Sequence, residues 1–254
     1  MKVALLQFDI SWGDPVKNRA RLDVLLAGVK EKVDLFVFPE MFSTGFATAE
    51  NGASEPLPSE TLEWMKRKAA EKDAAIAGSI AVSDGKRRYN RHYFVKPDGE
   101  VASYDKRHLF MYGGEDKTFT AGRERRVVEF RGVRFLLEVC YDLRFPVWAR
   151  NRGDYDAILY VANWPTVRRL AWDTLLRARA IENQCFVCGV NRVGKDPVCE
   201  YDGGTVLVDP YGRIAASAAQ NTEEFVIADI NLKEYASYSR NFPVLQDADN
   251  FKLL

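Results

Sequence analysis

The sequence predicts an α/β fold in which layers of sheet and helix pack on one another. Apolar strand-like runs alternate with amphipathic helical runs almost to the end of the 254 residues. The segments FVKPDGEVASY and VLVDPYGRIAAS also resemble each other, since each has a strand, a Pro/Gly turn and a second strand, and follows a helix-containing stretch. We therefore expect a single domain over residues 1–254 with two similar halves. The pattern leaves open one doubly wound sheet or two sheets packed face to face.

The first half contains two predicted helices. The helix over Pro15–Lys30 has Asp14 as its N-cap and Pro15 at its first position, where a missing N–H is tolerated. The helix over Ser59–Lys72 has Ser59 as its N-cap and places its apolar side chains on one face. The predicted strands of this half are Val3–Phe8, Leu35–Phe38, Ala74–Val82, Tyr89–Lys96 and Val101–Tyr104, of which the last two form a hairpin.

The second half repeats the alternation of strand and helix. A short helix is predicted over Phe145–Arg152 and a long one over Val167–Asn183. Turns at Arg131-Gly132 and Asp209–Gly212 predict two further hairpins. The predicted strands are Val127–Phe130, Arg134–Cys140, Ala157–Ala162, Cys185–Asn191, Thr205–Val208, Ile214–Ser217 and Phe225–Ile230, after which a C-terminal segment follows.

Composition and charge exclude several classes of protein. Lys and Arg together number 36, and Asp and Glu together also number 36, so positive and negative charges balance. The composition therefore gives no indication of a nucleic-acid partner. The opening MKVALLQFDISWGD resembles a first strand rather than a signal peptide, and no apolar run is long enough to span a membrane. We therefore expect a cytoplasmic protein with no membrane partner. Phosphate-binding glycine motifs, a G-x-S-x-G motif and a histidine cluster are absent from the sequence, which predicts neither cofactor nor metal.

Because the chain is large and no export signal is predicted, we expect its four cysteines to be reduced thiols. Cys185 and Cys188 form a C-x-x-C within the apolar run QCFVCGVN, which has the pattern of a buried strand. Residues three apart on a strand point to opposite faces, so this pair suits neither zinc nor redox chemistry. We expect both to be core residues.

Three residues that could act as acid, base or nucleophile lie at the ends of predicted strands. Glu40 comes after LFVFP, Lys106 after VASYD and Cys140 after RFLLEV, and strand ends are where α/β folds place their sites. Taken singly, each has a simpler interpretation: Glu40 as a surface acid, Lys106 as a solvated loop charge and Cys140 as a core thiol. A turn follows Cys140, where backbone N–H groups would favour the thiolate and hold an oxyanion. His108 is close to Lys106 in sequence but has no partners for a Cys-His protease.

Taken together, FPEMF, YDKRHLF and VCYDLRFP resemble the three signature segments of the nitrilase (carbon–nitrogen hydrolase) superfamily, in the same order. The runs CYDLRFPVWARN, LYVANWP, LLRARAIENQ and FPVLQDADNF resemble the bacterial omega-amidases more closely. The resemblance implies a four-layer αββα sandwich and a homodimer in which the helix around Trp172–Asn183 lies at the interface. It also implies a small-molecule amide substrate, such as 2-oxoglutaramate.

The same resemblance implies roles for particular residues. Glu40 would be the general base, Cys140 the nucleophile that forms a thioester, and Lys106 with the backbone N–H of Tyr141 the oxyanion donors. Glu115 in GGEDKTFTAG matches a second glutamate that positions the amide and Lys106. Alternatives are an N-carbamoyl amine or nitrile substrate, or a catalytically silent binding protein.

Substrate-binding residues are less sharply indicated. Arg144 either receives a substrate carboxylate or pairs with an acid such as Asp142 to shape the turn after Cys140. Asn163 and Trp164 follow a predicted strand and are expected at the same sheet end as Cys140. Aromatic and apolar residues near strand ends are often simply core. Those that we expect to wall a pocket are Phe42, Phe110, Met111 and Trp164.

Overall fold

The structure is a computed structural model that describes residues 1–48 and 54–252. The α-helices of these residues are α1 (Pro15–Gly28), α2 (Glu60–Lys72), α3 (Pro146–Ala149), α4 (Arg169–Asn183) and α5 (Leu232–Asn241). The strands are β1 (Lys2–Gln7), β2 (Leu35–Val37), β3 (Glu55–Pro56), β4 (Ala75–Ser83), β5 (Arg88–Val95), β6 (Val101–Asp105), β7 (Val127–Phe130), β8 (Val133–Val139), β9 (Ala157–Val161), β10 (Phe186–Val190), β11 (Val193–Lys195), β12 (Glu200–Asp202), β13 (Val206–Val208), β14 (Ile214–Ser217) and β15 (Glu224–Asp229).

The strands form two mixed sheets and a small ribbon. The first sheet has the order β15-β1-β2-β4-β5-β6, with β3 beside β4, and the second has the order β14-β13-β10-β9-β8-β7. Each sheet has three neighbouring parallel strands, β1, β2 and β4 or β8, β9 and β10, with antiparallel strands on both sides. The similarity between the two halves of the sequence is therefore a similarity of sheet construction. Strands β11 and β12 form the ribbon.

Three apolar cores show how the layers stack. Residues from both sheets, such as Leu5 of β1 and Leu137 of β8, share one core. The other face of the first sheet packs on α1 and α2 through residues such as Trp64. The other face of the second sheet packs on α4 through residues such as Trp172 and Leu176. Since both faces of each sheet are covered, the architecture is the predicted αββα sandwich rather than one doubly wound sheet.

The helix starts follow the sequence signals, whereas some ends differ. The Asp14 carboxylate accepts a hydrogen bond from the Lys17 N–H at 2.9 Å, and the Ser59 hydroxyl accepts one from the Leu62 N–H at 3.1 Å. The short helix predicted over residues 145–152 is only α3, because the backbone of Arg150 leaves the helical region and the Asn151 N–H bonds to the Asn183 side chain. The ribbon β11–β12 and helix α5 were not predicted, and strands of three residues are too short to show periodicity.

The C-x-x-C cysteines lie as predicted in the core. Cys185 immediately precedes β10 and packs in the layer beneath α4, whereas Cys188 packs between the two sheets. Their side chains therefore point to opposite faces of one sheet, and all four cysteines of the chain are free thiols. No helix in residues 1–48 and 54–252 has both the length and the apolar character needed to cross a membrane.

Candidate active site

A cavity of about 370 Å³ opens where the carboxyl ends of strands from both sheets meet. Glu40 reaches it from the loop after β2, Lys106 from the end of β6 and Cys140 from the end of β8. Asn163 and Trp164 enter it from the loop after β9. The fold thus brings together five residues that are separated by as many as 124 positions in the chain. Sheet topology explains this convergence, because the parallel strands end at the same edge.

Lys106 is ion-paired with two glutamates. Its Nζ lies 2.8 Å from Glu40 Oε1 and 2.9 Å from Glu115 Oε2, and all three side chains have no exposed surface. Asn90 of β5 joins the carboxylates, because its Nδ2 donates to Glu40 Oε1 at 2.8 Å and to Glu115 Oε1 at 3.0 Å. Sequence reasoning did not find Asn90, since an asparagine inside a strand carries no motif. The one available signal was a polar asparagine inside a segment whose pattern otherwise predicts a strand.

The remaining oxygens of both glutamates also have donors. Glu40 Oε2 accepts the Asn163 N–H at 2.9 Å, and the Asn163 side chain donates to the Glu40 carbonyl at 2.6 Å. Glu115 Oε2 accepts the Phe110 N–H at 2.7 Å. Asn163, predicted as a pocket residue, thus lines the cavity and also fixes the orientation of Glu40. Buried carboxylates are tolerated when every oxygen is hydrogen-bonded in this way.

Electrostatics keep Lys106 charged. Burial by itself would lower the pKa of Lys106, but Glu115 and Glu40 together raise it well above its ordinary value. Burial raises the pKa of Glu115, although Lys106 and the hydrogen bonds from Phe110 and Asn90 oppose that rise. The ammonium group is therefore a permanent, fixed hydrogen-bond donor at the base of the cavity.

Cys140 lies at a sharp turn immediately after β8. Its φ of 44° is in the left-handed region, which is unusual for a residue other than glycine and ends the strand one residue earlier than predicted. The thiol is only partly exposed and lies 3.9 Å from the Asn163 carbonyl, to which it donates. Burial raises the pKa of Cys140 well above its ordinary value, and Glu40 raises it further. Lys106 lowers the pKa of Cys140 but does not compensate, so the surroundings favour the thiol over the thiolate that nearby backbone N–H groups were expected to favour.

Asp142 shapes this turn, but not through Arg144. Asp142 Oδ2 accepts the Val139 N–H at 3.0 Å and the Tyr104 hydroxyl at 2.9 Å. Asp142 Oδ1 accepts the His108 N–H at 2.9 Å and lies 2.8 Å from His108 Nδ1. The suggested Arg144–Asp142 pair is therefore not formed, because His108 and Tyr104 occupy the carboxylate. His108 thus has a structural role, since it fixes the Asp142 carboxylate next to the turn of Cys140.

Arg144 instead lines the cavity. Its guanidinium lies over the indole ring of Trp164 at 5.0 Å from the ring centroid. Within the part of the chain that the structure describes, it forms no salt bridge. A guanidinium stacked on an aromatic face and facing a cavity is available to an anionic ligand.

The other predicted wall residues divide into two groups. Phe110 and Trp164 line the cavity, as does Tyr141, whose ring packs 5.1 Å from that of Phe110. Phe42 does not line it, because the left-handed backbone at Met41 turns the chain and the Phe42 ring packs against Phe38 in the core beneath α2. Met111 also lies outside the cavity wall, and 70% of its surface is exposed to solvent. Both placements correct the sequence prediction.

Comparison with known proteins identifies the family of this chain. A model of the carbon-nitrogen hydrolase family matches residues 2–240. The omega-amidase YafV of Yersinia enterocolitica is 46% identical over 256 residues, which cover 100% of this chain and 99% of that protein. The 2-oxoglutaramate amidase of Bacillus subtilis is 36% identical, with 96% of each chain covered.

A solved structure is also similar to this chain over its whole length. A CN-hydrolase superfamily protein of Xanthomonas campestris, with an arsenic adduct in its active site, superposes with a TM-score of 0.97 at 40% identity, covering 100% of this chain and 99% of that one. The family match, the full-length relatives and the shared two-sheet architecture agree with one another. The chain therefore belongs to the carbon–nitrogen hydrolase family of the nitrilase superfamily and is a hydrolase of carbon–nitrogen bonds.

Proposed function

We propose that this protein is an omega-amidase, which hydrolyses the terminal amide of 2-oxoglutaramate and related oxo-acid amides to the oxo acid and ammonia through a thioester on Cys140. The observation that carries the proposal is the buried Glu40–Lys106–Glu115 network beside the Cys140 thiol. The names of the omega-amidase and 2-oxoglutaramate amidase relatives support the substrate class. The cavity volume of about 370 Å³ is in the range of small-ligand sites.

In the first step, the Cys140 sulfur attacks the amide carbon while Glu40 accepts the thiol proton. A carbon–sulfur bond forms, and the carbonyl π electrons move to the oxygen. Lys106 and the backbone N–H of Tyr141 would receive this oxyanion, and one such donor is typically worth about 10²–10³ in rate. Proton transfer during attack suits a thiol whose pKa is raised, because no thiolate has to persist next to two carboxylates.

In the second step, the carbon–nitrogen bond breaks. The proton on Glu40 passes to the leaving nitrogen, so ammonia departs and a Cys140 thioester remains. Water then attacks the thioester and gives one proton to Glu40. Collapse of this second intermediate breaks the carbon–sulfur bond, and the Glu40 proton returns to the thiol as the carboxylic acid leaves. Glu115 holds Lys106 in place throughout, and dividing the reaction in this way replaces one difficult displacement with two easier ones.

Recognition of the substrate carboxylate is assigned to Arg144. A guanidinium presents two parallel N–H donors that match a carboxylate, and Arg144 faces the cavity on the ring of Trp164. A nitrile or an N-carbamoyl amine without a carboxylate would leave this cation unpaired. The pocket therefore favours an acid-bearing amide over these alternatives.

A homodimer is proposed for the assembly, with α4 at the interface. Exposed apolar residues accumulate on and beside this helix, which suits a surface that is covered by a second copy. They are Val167, Leu170, Ile181, Tyr211 and Phe242. The four free cysteines support the cytoplasmic location predicted from the sequence.

The test of the function is ammonia release by the wild-type protein and by Cys140→Ala. We expect the wild type to release ammonia from 2-oxoglutaramate, and the variant to release none while its circular dichroism spectrum is unchanged. Mass spectrometry of the rapidly quenched wild type should detect the acyl adduct on Cys140. Full activity of Cys140→Ala would rule out the thioester mechanism. A higher kcat/KM of the wild type for a nitrile or a carbamoyl amine would rule out the substrate class.

A further inference from the structure

A second arginine, Arg168, lines the same cavity and was not among the residues singled out from the sequence. It ends the 3-10 turn Thr166–Arg168 that precedes α4, and its guanidinium lies over the Phe110 ring at 5.3 Å from the centroid. Within residues 1–48 and 54–252, its guanidinium forms neither a hydrogen bond nor a salt bridge. Its neighbour Arg169 does, since it pairs with Asp173 at 2.8 Å and with Asp202 at 3.2 Å.

The acidic groups of the cavity do not neutralise this second cation. Glu40 is held by Lys106, Asn90 and Asn163, as described above. Asp196 lines the cavity too, but its Oδ1 accepts the N–H groups of Val198 and Cys199 at 2.7 and 2.6 Å, and its Oδ2 accepts the Tyr201 hydroxyl at 2.5 Å. The cavity therefore presents two guanidinium groups that have no carboxylate partner in the described chain.

We propose that Arg168 is a second specificity-determining residue, which with Arg144 binds the carboxylate and the adjacent 2-oxo oxygen of the substrate. The inference rests on the proposed omega-amidase function. A 2-oxo acid offers three acceptor oxygens on neighbouring carbons and carries no cation there, so two guanidinium groups can share it. The corresponding 2-amino acid amide, such as glutamine, places an ammonium group beside the two cations.

The aromatic rings under the two arginines fit this role. Arg144 lies on Trp164 and Arg168 on Phe110, so each guanidinium is oriented by a ring rather than by an acid. Stacked arginines lose little conformational freedom when a ligand binds, and an unpaired cation keeps its full charge for that ligand. The two guanidinium groups repel the ammonium group of the 2-amino compound and attract the oxygens of the 2-oxo compound. The substrate is therefore selected by repulsion of the wrong compound as well as by favourable contacts to the right one.

The experiment compares Arg168→Met with the matched control Arg169→Met. Methionine retains an unbranched apolar side chain over Phe110 but removes the charge. For Arg168→Met, we expect kcat/KM for 2-oxoglutaramate to fall about 10- to 100-fold, mainly through KM, because a hydrogen-bonded charge is lost. The ratio of kcat/KM between 2-oxoglutaramate and glutamine should fall as well. Hydrolysis of butyramide, which has no carboxylate, should not change, and Arg168→Lys should recover part of the loss.

Binding of 2-oxoglutarate, measured by isothermal titration calorimetry, provides a readout that needs no turnover. The Kd of the wild type should rise about tenfold or more in Arg168→Met and stay unchanged in Arg169→Met. Equal losses on butyramide and 2-oxoglutaramate would show a merely structural role, and an unchanged Kd would overturn the proposal. A wild type that binds 2-oxoglutarate through Arg168 but does not hydrolyse 2-oxoglutaramate would refute the proposed function alone. No binding by the wild type would refute the inference about Arg168.

Discussion

Two sets of buried carboxyl groups lie close to Cys140, and they differ in their hydrogen-bond partners. The first set is Glu40 with Glu115, and the second is Glu138 alone. In the first, each oxygen of Glu40 and Glu115 accepts at least one hydrogen bond, and Lys106 supplies a cation to both. In the second, Glu138 of β8 is fully buried two residues before Cys140, and neither of its oxygens has a partner within the described residues. Tyr160, opposite Glu138 in the register of β8 and β9, has a hydroxyl that is likewise unpartnered there.

The contrast shows what a buried charge requires. Burial raises the pKa of Glu138 well above its ordinary value, Asp142 raises it further, and Arg125 and Arg179 do not compensate. Burial therefore favours the protonated form of Glu138, whereas Glu40 and Glu115 favour the charged form of Lys106. The difference lies in the partners: Glu40 and Glu115 have hydrogen-bond donors and the cation of Lys106, whereas the Glu138 carboxyl has no hydrogen-bond partner within the described residues.

The largest expected effect comes from removing the base of the first set. In Glu40→Gln, the amide cannot accept the thiol proton, so kcat for 2-oxoglutaramate should fall about 10³-fold or more. Glu138→Gln, the same change in the second set, should retain kcat within about twofold. Stopped-flow or coupled ammonia assays measure both variants. Similar losses in the two variants would contradict the distinction between the sets.

Removing the cation should have the next largest effect. Lys106→Met deletes an oxyanion donor and leaves two buried carboxylates unpaired, so kcat should fall about 10²–10³-fold. The free energy of unfolding should also fall by about 3–5 kcal/mol, because an uncompensated charge remains in the interior. Urea denaturation followed by fluorescence gives the second quantity. A variant with wild-type kcat would remove Lys106 from the mechanism.

Asn90 tests whether the hydrogen bonds between the two glutamates matter. Asn90→Ala should lower kcat about tenfold with KM nearly unchanged, because a hydrogen bond to a charged group is worth about 1.5–3 kcal/mol and each 1.4 kcal/mol is about tenfold in rate. Asn18 is an equally buried asparagine that does not line the cavity, and its side chain donates to the backbone carbonyls of Ser11 and Ser43. Asn18→Ala should lose a similar free energy of unfolding, about 1–3 kcal/mol, without a change in kcat. If both variants lost activity equally, the Asn90 effect would be one of stability.

The smallest effect on activity, and the sharpest on stability, is expected at Glu138. A carboxyl group with a raised pKa in the folded state stabilises the fold below its ordinary pKa of 4.5, and this contribution is lost as the pH rises toward the folded value. The unfolding free energy of Glu138→Gln, relative to wild type, should therefore increase as the pH rises from 4.5 toward the raised pKa of the folded state, by up to about 1.4 kcal/mol per pH unit. Exposed Glu129 of β7 provides the control, because Glu129→Gln should show no such slope. A flat difference for Glu138→Gln would mean that the buried acid is ionised.

The sequence by itself determined the alternation of strands and helices, the resemblance between the two halves and the placement of Glu40, Lys106 and Cys140 at strand ends. These are local properties, since periodicity, turn residues and caps act over a few neighbours. The resemblance to a known family added Glu115 and the choice of two sheets. The opposite faces of Cys185 and Cys188 also followed from strand geometry alone.

The tertiary structure alone decided which groups touch. Asn90 on β5 donates hydrogen bonds to both glutamates. His108, rather than Arg144, contacts the Asp142 carboxylate. Arg168 lines the cavity, whereas the adjacent Arg169 does not and pairs with Asp173. Such contacts depend on the packing of distant strands. Side-chain direction near the site also depends on single backbone angles, such as the left-handed φ of 43° at Met41, which precedes Phe42 in the core. Neither property is encoded in a local pattern, because both arise only after the two sheets have packed together.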